Sequence, residues 1–377
     1  MANEGLPVTP ALITWARTRA GLSIEDAKNF GKIDEWERGE SSPTYPQLES
    51  LANALKVPVA VFFFPEPPNV PDIAQTFRTL PDTEFEQIPG RVKLLLRKAK
   101  AFQLNLMELT RGSNPASHVI TKDLSFSSDA NLVAAANQLR SYLGVTIETQ
   151  QSWPDDETAL KEWRQALQAV GVYIFKDAFK ADEFSGFCLF DEVFPLIYVN
   201  NSAAKTRQIF TLFHELAHLL FETSGIDTIH SDYISKLQGD SRRIEVFCNR
   251  FAAEFLFPES AFAEAIKGQK PTEATAEHLA ARYHVSREFV FRRFLDRKWI
   301  DEAAYTAAAA RWSQQRGGGT GGDYYWTKLS YLSREYVALA LSEFHQSRIS
   351  ESQLADYLDT KPKNLAGIED YFARGSS

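Results

Sequence analysis

Apolar positions recur every three to four residues over much of this chain, the spacing that lines one face of an α-helix. Residues 11–20, 23–30 and 43–55 carry that pattern in a set of short helices spanning residues 8–66. Ser23 followed by Asp26 opens the second of them with a capping pattern. The same periodicity predicts helices within 86–112, 129–144 and 158–170, then at 206–221, 243–257 and 271–295, and twice more around 331–346 and 351–358. Three short runs break it: Val172 to Phe175, Gly186 to Phe190 and Leu196 to Val199. They are rich in aromatic and β-branched residues and bounded by Asp, Gly, Pro and Asn, so they read as strands. The expected fold is α+β and mostly helical, with a small sheet packed on the 206–221 helix.

That helix is apolar on nearly every side, through Ile209, Phe210, Leu212, Phe213, Leu216, Leu219, Leu220 and Phe221. A helix of this kind is buried. Within it stands His214-Glu215-Leu216-Ala217-His218. Residues four apart share a helix face, so both imidazoles can point at one ion. Glu215, one residue on, can reach a bound water instead, the two-histidine and general-base pattern of metallopeptidases. Two histidines and a glutamate inside a buried helix need partners, because unpaired buried polar groups are costly.

A catalytic zinc with three protein ligands needs one more. A third histidine at the metzincin spacing is excluded, since positions 221 and 224 are Phe and Ser. A distal acid on the next helix is the alternative, and Pro258 closes that helix. Glu245 and Glu254 lie nine residues apart there, about 180° around the axis at roughly 100° per residue, so one faces in and the other out. Asn249, one turn after Glu245, can support it from behind, which favours Glu245 as the inward acid.

These residues carry a resemblance. Pro195 to Asn200, Phe210 to His218, and Glu245-x-x-x-Asn249-x-Phe-Ala-Ala253 through Phe257-Pro258 resemble the ImmA/IrrE-type metallo-endopeptidases, in the form with an N-terminal Xre-like helix-turn-helix domain. The resemblance implies a zincin-like fold with His214, His218 and Glu245 as zinc ligands and Glu215 as catalytic base. It further implies a narrow protein substrate, a small helix-turn-helix repressor or antitoxin-like regulator cut in a stress, phage or mobile-element response. Where the pattern usually has Ala this chain has Cys248, three residues from Glu245. Zincin-like enzymes hold substrate as a strand added to a sheet edge, for which 186–190 or 196–199 is expected. Tyr198, His230 and Tyr233 are the candidate oxyanion donors.

The implied organisation is a shortened Xre-like domain at 8–66, a linker and connecting helix at 67–120, a metallopeptidase domain at 121–260, a helical helix-turn-helix-like region at 261–316, and a Gly-rich hinge with a helical tail at 317–377. The Trp36-Glu-Arg-Gly39 signature matches the Xre pattern, yet Ala27 to Trp36 spans only nine residues. That is about one helical turn short, at the segment whose residues normally reach bases. Across residues 1–60, six bases face eight acids, a balance of −2. The most basic stretch, 282–298, has six bases and two acids, among them Arg282, Arg287, Arg292 and Arg293. These four are the candidate nucleic-acid contacts, against the plainer reading of a solvated helix face.

Bulk composition narrows the class further. At 377 residues, 44% hydrophobic and 24% charged, the chain has the make-up of a soluble globular protein of two or three domains. A net charge of −8 argues against sequence-blind binding of nucleic acid by the whole surface. Two cysteines, Cys188 and Cys248, form no disulfide framework, and no signal peptide or membrane span is read, so a cytoplasmic location is expected. The alternative to a peptidase is a DNA-binding regulator, or a toxin–antitoxin component, that acts by binding with a vestigial protease fold.

Overall fold

The structure, a computed structural model, describes residues 5–20, 22–55, 57, 59–67, 88–127, 129–228, 237–314 and 323–375. The chain falls into two compact units, one of residues 1–76 and 82–102, the other of residues 77–81 and 103–377. Among the described residues no helix is long and apolar enough to cross a membrane.

The first unit holds the helices Pro10–Arg19, Ile24–Ala27, Ile33–Glu37 and Tyr45–Leu55 around a core that includes Leu12, Ile13, Trp36, Leu48, Leu51 and Phe62. The helix expected to be truncated has only five residues. Its Trp36 ring lies across Gly31, where a Cβ would come within 2.4 Å of the indole. Glu37 on the same helix accepts two hydrogen bonds from Arg17, at 2.6 and 3.1 Å.

The second unit is built on four strands: β1 (Tyr173–Asp177), β2 (Phe184–Leu189), β3 (Leu196–Asn200) and β4 (Ile226–Thr228), in the order β1-β3-β2-β4. The first three are the strands expected from sequence. β1 runs parallel to β3, and the other neighbouring pairs are antiparallel. β2 and β3 are therefore interior strands with both edges paired. Neither can take an added substrate strand, which corrects that expectation; the edge beside β2 belongs to β4, a strand too short to show in the sequence pattern.

Side chains alternate across the sheet. Ile174, Cys188, Ile197 and Val199 enter the core shared with the helix Lys205–Leu220, here called the motif helix. Phe175, Phe187 and Tyr198 fall on the other face, with Phe187 and Tyr198 stacked at 5.1 Å between ring centroids. Gly186 permits the close approach of sheet and helix, since a Cβ there would lie 2.5 Å from the Thr211 methyl. The far side of the motif helix packs on Trp163 and on Phe255 of the helix Gly239–Leu256, here the acid helix, with Phe213 at 4.8 and 4.2 Å from those rings.

The C-terminal helices cover the sheet's aromatic face. Tyr336 meets Phe175 edge-on at 5.3 Å. Arg164 donates to the carbonyls of Ser330 and Leu332, and Gln168 to Ser333. Residues 323–375 are thus stitched into this unit, while the Gly-rich 317–322 lies outside the described residues. The helices Glu273–Tyr283 and Arg287–Asp296 follow one another, turning at His284 in a left-handed conformation with Ser286 capping the second helix.

Candidate metal centre

Both histidines and both glutamates of interest are at most 2% exposed. The motif helix stops just past His218 in a Schellman arrangement. Glu222 adopts a positive φ of 56°, the Thr223 amide donates to the His218 carbonyl, and the Glu222 amide donates to Leu219. This stop turns the chain back over the second imidazole. Gly225 lies against its ring so closely that a Cβ would sit 2.6 Å from Cδ2. Thr223 Oγ1 stands 3.4 Å from His218 Nδ1, which leaves Nε2 for the interior.

The acid helix delivers Glu245 to the same point. His218 Nε2 lies 3.2 Å from Glu245 Oε1 and 3.2 Å from His214 Nε2, and His214 Nε2 lies 3.6 Å from Glu245 Oε2. For tetrahedral bonds of roughly 2.0–2.1 Å, neighbouring ligand atoms stand about 3.4 Å apart, so the two Nε2 atoms and the two Glu245 oxygens have the spacing of ligand atoms around one zinc. Two further observations fit an ion. The buried Glu215 oxygens and His214 Nδ1 have no conventional hydrogen-bond partner. Burial holds His214 below its ordinary imidazole range, so that it is neutral and keeps a lone pair. Burial works against charge on His218 as well, but Cys248 and Glu245 outweigh it and hold the ring above its ordinary value. The centre is thus one that attracts positive charge.

Glu215 lies beside the Cys188 thiol without joining the three-atom cluster, and burial pushes its carboxyl up to about 8. Cys248 lies against His218 without joining the three-atom cluster, and both cysteines are free and buried.

The other predicted site residues fall elsewhere. Glu254 accepts the backbone amide of Glu259 and is not brought to the histidines. Asn249 donates to the Glu245 backbone carbonyl, at 3.2 Å, and so braces the helix turn behind the carboxylate. Tyr198 is no oxyanion donor: it is buried on the sheet face opposite the motif helix, because Ile197 and Val199 take the near face. His230 and Tyr233 lie outside the described residues. The four arginines do not form one free cationic face. Arg282 bonds Gln151, Arg287 pairs with Glu277 and packs on Trp312, Arg292 pairs with Asp296, and Arg293 is enclosed by Phe257, Phe262 and Phe289. The broad groove of about 1170 Å³ on the outer side of the acid helix holds Arg242, Arg250 and Glu254 but none of the four central residues.

A polar network beside the centre was not anticipated. Arg207 donates through Nη2 to both Asp227 oxygens, at 2.9 and 2.8 Å, and through Nε to Ser185 at 2.8 Å; Thr211 donates to Asp227 at 2.9 Å. Arg207 and Thr211 precede His214 by seven and three residues, so they share its helix face, and that spacing was a readable signal. Asp227 had none, because β4 was not foreseen.

Residues 167–295 match the family described as IrrE N-terminal-like domain. Two relatives are similar over 99 residues, both described as radiation response metalloprotease IrrE. The one from Deinococcus radiodurans is 36% identical, over 26% of this chain and 30% of its own length. The one from Deinococcus deserti is 33% identical, over 26% of this chain and 34% of its own length. The chain thus spans about a third of the length of the curated relatives it matches.

Proposed function

We propose, from the match of residues 167–295 to the IrrE N-terminal-like domain and from the two metalloprotease relatives, that the whole protein is a zinc-dependent endopeptidase that cleaves one specific protein partner. The partner is a small helix-turn-helix repressor or antitoxin-like regulator, cut in a stress, phage or mobile-element response. The observation that carries this reading is the cluster of His214, His218 and Glu245 ligand atoms with an unpartnered, buried Glu215 beside it.

The two Nε2 atoms and the Glu245 carboxylate would hold the ion, with Thr223 and Gly225 fixing the His218 ring. Zinc, when bound, supplies Lewis acidity toward water and the scissile carbonyl. Glu215 takes the proton of the attacking water on a carboxylate oxygen and passes it to the leaving amine. Burial of the four side chains keeps bulk water from competing. β4 is the end strand of the sheet, and its outer edge is the place where an extended substrate would add as a strand.

The test is metal content together with inspection of the neighbouring genes for a small helix-turn-helix regulator and incubation against it. The protein should carry about one zinc per chain and cut the regulator once. Glu215→Gln should keep zinc and fold but lose turnover, because the proton acceptor is gone while both imidazoles remain. A zinc-replete protein that leaves the regulator intact while binding it would favour the binding-only alternative.

A further inference from the structure

We infer that Arg207 and Asp227 are positioning residues: together they clamp strand β4 in register along the motif helix, and so set where an extended peptide lies relative to His214, His218 and Glu245. This rests on the peptidase reading above.

Arg207, Thr211, His214 and His218 form one stripe along the motif helix at spacings of four, three and four residues. Strand β4 runs beside that stripe. Gly225, at its entry, lies on the His218 ring, and Asp227, two residues on, is gripped by Arg207 and Thr211. Such a grip is needed because β4 is weak as a strand. It has three residues, and its pairing with β2 is irregular between Phe184 and Gly186. A short ladder with a bulge specifies register poorly, and a slip of one residue exchanges which side chains and which edge amides face outward. The Asp227 side chain is 4% exposed, so a slipped register would strand a buried carboxylate. The Arg207 fork, held by Ser185 on β2 as well, ties β4, β2 and the helix together at one point. Neither residue is one of the three clustered side chains, so the clamp is assigned to strand position, and zinc content is measured to separate it from an effect on the metal.

The experiment compares Asp227→Asn, which keeps shape and loses charge, with Arg207→Lys, which keeps charge and loses the planar fork. Amide hydrogen exchange at residues 226–228, zinc content, and the kinetics of regulator cleavage are measured on the full chain. The expected result is at least a tenfold loss of protection at 226–228 in Asp227→Asn, with about one zinc retained. KM should rise about tenfold with kcat changed less than about twofold, and Arg207→Lys should fall between Asp227→Asn and the wild type. Unchanged protection, zinc lost together with protection, or a kcat loss at unchanged KM would each overturn the clamp. If Asp227→Asn does not fold, Arg207→Lys decides by the same readings. A wild-type protein that cleaves nothing would sink the peptidase reading alone, and the exchange measurement would still decide the clamp.

Discussion

At the level of single residues, the two acids of the acid helix stand in different surroundings. Glu245 sits at 3.2–3.6 Å from both imidazoles, while Glu254 bonds the start of the next helix. Glu245→Gln should therefore lower zinc affinity strongly, and Glu254→Gln should leave it unchanged and cost under about 1 kcal/mol of stability, because the amide oxygen still accepts from Glu259. Zinc titration of the two variants, with melting curves, checks both. Lys176 offers a second reading. Burial first, then Arg164 and Lys205, pushes its ammonium down to about 7. The unfolded chain keeps that proton up to about pH 10.4. Between these values the unfolded state binds more protons, so stability rises with pH across that window and the cost is full below it. Lys176→Met should raise Tm most at about pH 6.5, by a few kcal/mol in stability, with the gain shrinking toward about pH 10. Equal gains at both ends would assign them to packing instead of charge.

Among elements, the contact between sheet and motif helix depends on the lack of a side chain at one point. At Gly186 a Cβ would meet the Thr211 methyl at 2.5 Å and the Tyr198 carbonyl at 2.8 Å, and the second atom is backbone that cannot rotate away. Gly186→Ala should destabilise the second unit by roughly 1–3 kcal/mol or more and should loosen Thr211 from Asp227. Thermal melting, with zinc content as the second reading, checks this. A Tm unchanged within error would mean that the sheet can retreat without strain. The helix end matters equally. Because the motif helix stops at Glu222, the chain returns across His218 within three residues, and the edge strand lies beside the centre.

On the scale of the whole molecule, the first unit is the part whose role residue-level reasoning and resemblance assign differently. Resemblance suggests operator binding. The five-residue helix Ile33–Glu37, the core placement of Trp36 and the −2 balance of residues 1–60 offer few base contacts and little phosphate attraction. Residues 1–102 alone should bind duplex DNA only non-specifically, at ~10⁻⁴–10⁻⁶ M near physiological salt. Deleting residues 1–66 should impair cleavage of the folded regulator more than that of an unstructured peptide. A salt-series titration and paired cleavage assays check the two halves. A nanomolar, sequence-selective complex would overturn the first, and equal loss on both substrates the second.

The residues of the centre were legible because helix periodicity is local. His214, Glu215 and His218 are placed relative to one another by a single turn of one helix, and a half-turn argument separates Glu245 from Glu254. The same holds for the three longer strands, whose apolar runs announce themselves. What the chain could not show on its own is anything set by pairing between distant segments. Strand order made β2 and β3 interior and gave the edge to a three-residue strand with no pattern to read. Sheet alternation turned Tyr198 away from the centre, and packing enclosed Arg293 among phenylalanines far along the sequence. Asp227 meets Arg207 only after the chain has completed the motif helix and folded back across its end, so that contact, and the clamp built on it, exists only in three dimensions.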